Sequence, residues 1–201
     1  MSEFFKYFLP LFLLVYFAVA FVLPSYRVWK RTGVNPVTFR GADDAHDYIG
    51  KLFKIVMLAL TVVIIVYAFV PNFYPYLLPV FWLENRIIQY IGIGLLLISL
   101  LWTVAAQIQM GNSWRIGIDE EKKTELVRTG VFALSRNPIF LGMIVTLAGM
   151  FLALPNAFTL LVFVLGFTLI QIQVRLEEEF LGRMHGAEYD EFRRQVPRWI
   201  W

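Results

Sequence analysis

The sequence predicts an all-α protein that crosses a membrane with about five transmembrane helices. Of its 201 residues, 59% are hydrophobic and 16% are charged, which is unlike the composition of a soluble globular domain. The apolar residues collect in runs close to the roughly 20 residues that an α-helix needs to cross the hydrocarbon layer. No polar stretch approaches the roughly 100 residues of a separate aqueous domain. We therefore expect a single membrane-embedded domain over residues 1–201, with its chemistry at a membrane face.

Five apolar runs give the predicted spans. The first lacks the strongly basic start and the small-residue cleavage site of a secretory signal, so we keep it as a span. Between the fourth and the fifth stands only the turn sequence Pro-Asn-Ala, which indicates a tight helical hairpin. In chain order the predicted spans are Phe4–Leu23, Phe53–Val70, Ile87–Ala106, Pro138–Leu154 and Phe158–Val174.

The segment Pro71–Trp82 is apolar but is not counted as a span. Its prolines interrupt a regular helix, and its aromatic residues are typical of headgroup depth. Residues 1–85 therefore hold the first two spans, and residues 86–201 form a core with the hairpin and a C-terminal cytoplasmic helix.

Several glycines lie inside the predicted spans. No strand is predicted before them, so helix packing explains them better than a dinucleotide-binding loop does. We expect neighbouring helices to approach closely at Gly92, Gly94, Gly142, Gly149 and Gly166.

Lysine and arginine are distributed unequally along the chain. Of the 18 such residues, all but Lys6 and Arg86 fall in the connection before span 2, at the start of span 2 (Lys54), in the connection before span 4 or in the C-terminal tail. Cytoplasmic connections collect basic residues. This distribution predicts an N-terminus outside and a C-terminus in the cytoplasm, and we expect a bacterial inner membrane as the location.

Cysteine is absent, which excludes disulfides, thiol nucleophiles and thiolate metal sites. His46 stands near Asp43, Asp44 and Asp47, which suggests a metal site as an alternative. Aspartate before an apolar helix is an ordinary N-cap, however, and the spacing matches no zinc pattern, so we predict no metal. The arginines of the tail are interleaved with apolar residues, which favours a lipid surface over nucleic acid.

Two polar segments flank the hairpin. Residues 126–140 run directly into span 4, and a helix N-terminus presents unpaired N–H groups that suit a carboxylate or phosphate. Pro138 fits the first turn of this helix and Asn137 its N-cap. On the helix that leaves span 5, three- and four-residue steps predict one shared polar face. Its members are Gln171, Arg175, Glu178 and Glu179.

Each of these two segments contains a motif. The first motif consists of Leu126-Val127, Gly130, Arg136-Asn137-Pro138 and Phe140, and the second of Glu177-Glu178, Leu181, His185-Gly186, Tyr189 and Val196-Pro197-Arg198. The two motifs, in this order around a hairpin, resemble the isoprenylcysteine carboxyl methyltransferase family. They also resemble the wider group of small integral-membrane methyltransferases that includes phospholipid methyltransferases. The resemblance covers residues 86–201.

The resemblance implies that S-adenosylmethionine binds on the cytoplasmic side and that the methyl acceptor is lipophilic. The expected acceptor group is a carboxylate, such as that of a prenylcysteine, which is ionised at neutral pH and needs no base. We expect catalytic roles for Arg175, which would steer the anionic head group of the acceptor, and for Glu178. Besides the lipophilic substrate, we expect membrane lipids as partners. By position, the expected cofactor contacts are Glu125, Leu126, Val127, Phe132, Arg136, Asn137, Pro138, Phe140 and Glu177.

The sequence departs from the family pattern at several positions. Asn137 and Phe140 replace the His and Tyr of the usual Arg-His-Pro-x-Tyr, and Phe132 stands where Tyr is common. Gln173 occupies the position of the usual substrate-side arginine, and Arg175 lies two residues later, which rotates it by about 200° on a helix.

Three alternatives stay open. A phospholipid amine could be the acceptor, or the protein could be a sterol-reductase-like enzyme that uses NADPH. A small transporter or assembly subunit is the non-enzymatic alternative, although such proteins usually place ionisable residues in mid-bilayer, where these spans have essentially none.

Overall fold

The computed structural model describes residues 3–33, 45–111, 114 and 125–200. Within these ranges the chain is helical and forms no strand, so the predicted all-α fold is confirmed. The α-helices in chain order are α1 (Glu3–Phe17), α2 (Leu23–Thr32), α3 (Ala45–Phe69), α4 (Arg86–Met110), α5 (Pro138–Ala153), α6 (Ala157–His185) and α7 (Ala187–Gln195).

Four helical segments in the described ranges are long and apolar enough to cross a membrane. They are Glu3–Thr32, Ala45–Phe69, Arg86–Met110 and Ala157–His185, and they confirm a multi-span membrane protein. The helix predicted as the fourth span, α5, is apolar but has only 16 residues. At about 1.5 Å per residue it is roughly 24 Å long, against a hydrocarbon layer of roughly 30 Å. That α5 crosses the membrane stays a prediction.

The first helix continues past the predicted end of span 1. A π-helical turn at Ala18–Val22 joins α1 to α2 without a break. Pro24 has no N–H, so it cannot donate to the carbonyl of Ala20 four residues earlier, as an α-helix would require. The Nε2 of Gln107 on α4 donates to that carbonyl instead, at 2.5 Å. Arg27, Lys30 and Arg31, which follow Pro24, are therefore helical, whereas the sequence predicted a connection between spans.

The turn between α5 and α6 is held by a helix cap and by hydrogen bonds to the segment before α4. The side chain of Asn156 accepts a hydrogen bond from the backbone N–H of Thr159, and the Thr159 hydroxyl accepts one from the N–H of Asn156, which forms a capping box. The segment before α4 holds this turn: the N–H of Val80 donates to the carbonyl of Pro155, and that of Ala157 to the carbonyl of Leu78. The predicted hairpin is confirmed.

The segment between α3 and α4 is irregular, as predicted. It forms two short 3₁₀ turns, Pro71–Leu77 and Phe81–Leu83, and is not a span. The side chains of Tyr76, Phe81 and Trp82 are exposed, which agrees with aromatic residues at headgroup depth.

Helices α4 and α5 pack against each other in antiparallel orientation, with glycines at the contact. A Cβ at Gly92 would lie 2.8 Å from the carbonyl oxygen of Gly149 and 2.9 Å from the carbonyl carbon of Leu152. The indole Nε1 of Trp102 donates to the carbonyl of Pro138 at 2.8 Å. Close approach is confirmed at Gly92 and Gly149. The prediction of close approach is wrong for Gly94, because no atom of a neighbouring helix lies within 4 Å of a Cβ built there.

The difference between Gly92 and Gly94 gives a first prediction. Gly92→Ala is expected to lower the free energy of unfolding by about 1–3 kcal/mol or more, because its methyl group would press on the backbone of α5 rather than on a flexible side chain. Gly94→Ala, on the same helix, is the matched control and should be neutral or stabilising by up to about 1 kcal/mol. Unfolding in detergent micelles measures both, and equal effects would contradict the packing described here.

The polar segments meet at one end of the bundle, where α4 ends, α5 begins and α6 continues into α7. We name it the basic end, because described Lys- and Arg-rich parts of the chain lie there, among them the C-terminal half of α2 and the start of α3.

Candidate functional site

The loop into α5 is fixed to the end of α4. The Oε1 of Gln109 accepts a hydrogen bond from the backbone N–H of Val131 at 2.9 Å. Gly130 has φ +63°, a left-handed conformation that favours glycine, and a Cβ there would collide with the Gln109 amide. The chain then makes a 3₁₀ turn, Gly130–Ala133, and enters α5 with Pro138 in the first helical turn, as predicted.

A buried carboxylate ties this loop to α6. Glu178, which is 6% exposed, accepts hydrogen bonds from three side chains. The Nη2 of Arg136 lies 3.2 Å from both of its oxygens, and the Nδ2 of Asn137 lies 2.8 Å from Oε1. Arg198 completes the arrangement, with Nε 3.1 Å from Oε1 and Nη2 2.8 Å from Oε2. We name Arg136, Asn137, Glu178 and Arg198 the clamp.

The clamp also holds the C-terminal segment. The backbone N–H of Arg136 donates to the carbonyl of Pro197 at 3.0 Å, and the Ser135 hydroxyl donates to that of Arg198 at 2.9 Å. The Nη1 of Arg136 donates to the carbonyls of Arg193 and Val196. Backbone and side-chain bonds thus join the loop, α6 and the residues after α7 in one unit.

An apolar cluster lies beside the clamp. Tyr189, Phe192 and Val196 are buried there, and Leu126 and Leu181 pack against them. Burial, together with the nearby charge of Glu178, raises the pKa of Tyr189 to about 12. Its phenol therefore stays protonated at neutral pH.

A cavity of about 440 Å³ opens between α1, α3, α4, α5 and α6. This volume lies within the roughly 300–1,000 Å³ of small-molecule sites. Most of its wall is apolar and aromatic, including Phe12, Leu60, Phe140 and Met143. The charged side chains among its described lining residues are Lys54 and Glu177.

Glu177 is half-buried, and its environment differs from that of Glu178. The Nε2 of Gln173 donates to its Oε1 at 3.0 Å. In the described part of the chain Glu177 takes part in no salt bridge, whereas its neighbour Glu178 has two guanidinium partners. Glu177 thus presents a carboxylate with a neutral partner to a mostly apolar cavity.

The predicted site residues separate into groups. Phe140 and Glu177 line the cavity. Arg136, Asn137 and Glu178 form the clamp, and Leu126 belongs to the apolar cluster. Of the others, Phe132 and Pro138 are buried, Val127 is half-buried, and Glu125 and Arg175 are exposed.

The polar face predicted for α6 is divided between two sides of the helix. Arg175 donates to the side chain of Gln171 at 3.0 Å and is exposed, whereas Glu178 is buried. Three residues along a helix leave about 60° between their directions, which is enough to place Arg175 outside and Glu178 inside. Arg175 does not line the cavity, so its expected catalytic role stays a prediction.

Asn137 stands at the predicted N-cap position but does not act as an N-cap. Its side chain makes no capping hydrogen bond to α5 and donates to Glu178 instead. The Asn137 side chain therefore links α5 to α6 and does not cap the N-terminus of α5.

Two residues of the site were missed by sequence reasoning. Arg198 was noted in the C-terminal motif but not as a partner of Glu178, which lies 20 residues earlier. Lys54 was counted only for topology. A usable signal was its position as the last charged residue before the long uncharged run of α3.

The alternative metal site falls partly outside the described residues, since Asp43 and Asp44 are not among them. Among the residues that are described, no group of three or more His, Asp or Glu side chains is placed to hold a metal ion.

Comparison with known proteins adds two findings. A family model described as phospholipid methyltransferase matches residues 87–188, about half of the chain. The protein-S-isoprenylcysteine O-methyltransferase of Saccharomyces cerevisiae is 29% identical over 119 residues, which cover 57% of this chain and 49% of that protein. The chain thus spans about half the length of this relative. The family match includes the hairpin and the Glu177-Glu178 pair.

Proposed function

Because the chain belongs to the phospholipid methyltransferase family, we propose that it is a membrane methyltransferase that transfers the methyl group of S-adenosylmethionine to a lipophilic acceptor. The observation that supports this most is Glu177, a carboxylate without a cationic partner in the described structure, at the wall of an apolar cavity. Such a group suits a ligand that brings its own positive charge.

The residues of the cavity fit this cofactor. Glu177 would attract the sulfonium cation or accept hydrogen bonds from ribose hydroxyls, and the ring of Phe140 offers an aromatic wall. When bound, the cofactor supplies an activated methyl group for in-line displacement. The chain's own contribution is to align the two reactants and to exclude water from them.

The remaining cofactor contacts belong to the proposal as well. The backbone at Glu125, Leu126 and Val127 and the ring of Phe132 lie on the loop that leads into α5. Arg136 and Asn137 already donate to Glu178, so we assign them to holding the N-terminus of α5 rather than to binding the methionine carboxylate. Glu178 is then a positioning residue.

The proposed acceptor group is a carboxylate on an apolar tail. The relative's name specifies isoprenylcysteine, and the cavity wall offers apolar contacts for a tail. Lys54 lines this cavity and Arg175 does not, so Lys54 is the better placed cation for an anionic head. The second candidate acceptor is a phospholipid amine, which the family description favours.

The proposed location of the site is the cytoplasmic face. Among the described residues, the basic end carries the Lys and Arg side chains of α2 and of the start of α3, and segments rich in these residues stay in the cytoplasm.

Titration calorimetry of the purified protein tests the proposed cofactor. S-adenosylmethionine and S-adenosylhomocysteine are expected to bind and NADPH is not. Binding of NADPH with failure of both adenosyl ligands would favour the reductase alternative and end the methyltransferase proposal. Transfer of a radiolabelled methyl group into prenylcysteine analogues and into lipid extracts would then distinguish a carboxylate acceptor from an amine.

A further inference from the structure

A second, smaller cavity lies at the basic end, outside the proposed active site. Its volume is about 230 Å³, and it is open between α2, the π-helical turn before it and the last turns of α4. One wall is apolar, with Val19, Leu23 and Ile108, and the indole of Trp114 closes one side. Arg27 and Arg31 also line this cavity.

Arg27 and Arg31 are arranged to act together. They are four residues apart on α2, so both project from the same face of the helix. Both are exposed, and neither forms an ion pair or a side-chain hydrogen bond in the described structure. Most guanidinium groups of the clamp and of α6, by contrast, are engaged by a carboxylate or a carbonyl.

We propose that this cavity binds an anionic phospholipid, with its phosphate between Arg27 and Arg31 and the start of an acyl chain against Val19, Leu23 and Ile108. Guanidinium groups bind phosphate oxygens through paired, charge-assisted hydrogen bonds. The apolar wall selects a lipid over free phosphate, because inorganic phosphate would leave that surface uncovered. The cavity lies where α2 changes from apolar to basic residues, as expected at headgroup depth.

The lipid site adjoins the larger cavity. Gln107 and Trp114 line both cavities, so these two side chains form the partition between them. Gln107 also holds the carbonyl of Ala20 in the π-helical turn. A lipid bound at Arg27 and Arg31 would therefore lie next to two residues that also line the larger cavity.

Lipid binding to the purified protein in detergent micelles, measured by native mass spectrometry, tests this site. The probes are phosphatidic acid, phosphatidylcholine and inorganic phosphate. Phosphatidic acid is expected to bind most tightly. The double variant Arg27→Gln/Arg31→Gln should bind phosphatidic acid roughly tenfold or more weakly, because it removes both charge-assisted contacts to the phosphate.

Lys30→Gln is the matched control. Lys30 is on the same helix with the same charge, but it lies over the ring of Tyr26 and does not line the cavity. The affinity of the Lys30→Gln variant for phosphatidic acid should stay within about twofold of that of the unsubstituted protein, since exposed charges act weakly on one another. Circular dichroism checks that all variants keep their helix content.

Three outcomes would overturn the proposal: unchanged phosphatidic acid binding in the double variant, an equal loss in Lys30→Gln, or displacement of the lipid by inorganic phosphate. The measurement reads lipid retention and not methyl transfer. Failure here would therefore leave the proposed methyltransferase function untouched, and the reverse also holds.

Discussion

Glu178→Gln is expected to lower the free energy of unfolding by about 3–5 kcal/mol, the cost of removing one partner from a buried ion pair. The side chain of Arg136 is 8% exposed, and its Nη2 depends on Glu178 for both of its short contacts to a negative charge. An amide in place of the carboxylate has one acceptor oxygen, so it cannot satisfy Arg136, Asn137 and Arg198 together.

Glu179→Gln is the control for this variant. Glu179 is the next residue on α6, but its partner Arg183 is as exposed as itself, and the two lie 3.2 Å apart. Exposed pairs contribute about 0–1 kcal/mol. Reversible unfolding in detergent micelles should therefore separate the two variants clearly, and a similar small loss in both would show that the clamp does not hold the fold.

Glu177→Gln is expected to weaken S-adenosylmethionine binding at least tenfold while leaving the protein as stable as before. Tenfold corresponds to about 1.4 kcal/mol, which is within the contribution of one charge-assisted contact. The free energy of unfolding should not fall, because among the described residues Glu177 forms a hydrogen bond only to the neutral Gln173 and the substitution breaks no ion pair.

Calorimetric titration with S-adenosylmethionine measures the expected loss of affinity. An unfolding measurement on the same preparation checks that the stability is unchanged. Glu179→Gln again serves as the control, since Glu179 does not line the cavity. Unchanged cofactor affinity in Glu177→Gln would remove this residue from the site. A loss of stability would mean that Glu177 has a structural role that its contacts do not show.

The contrast between these adjacent glutamates marks the limit of sequence reasoning at the site. The motif predicted that both residues matter, and the hairpin correctly predicted that α6 returns to the loop before α5. The sequence could not predict that Glu178 meets Arg198, because this contact depends on how the chain turns back after α7. Nor could it show that Arg175 faces away, since a rotation of about 60° on one helix decides this.

The fold was predictable where hydrophobicity alone decides it. Four long apolar helices and the capped hairpin follow from run length and turn composition. The continuation of the first helix through Pro24 was not predictable, because it depends on Gln107 of another helix to satisfy the carbonyl of Ala20. The location of Lys54 at the cavity was missed for a similar reason, since its neighbours come from other helices.

The short length of α5 has a consequence for how the protein is made. Nine of its 16 residues are buried against other helices, and its ends meet Trp102 on one side and the segment before α4 on the other. Few of its residues would face lipid, so the bilayer does not dictate how long it must be. During biogenesis α5 would therefore gain a suitable environment only once α4 is beside it, and we expect the two to enter the membrane together with α6 rather than one at a time.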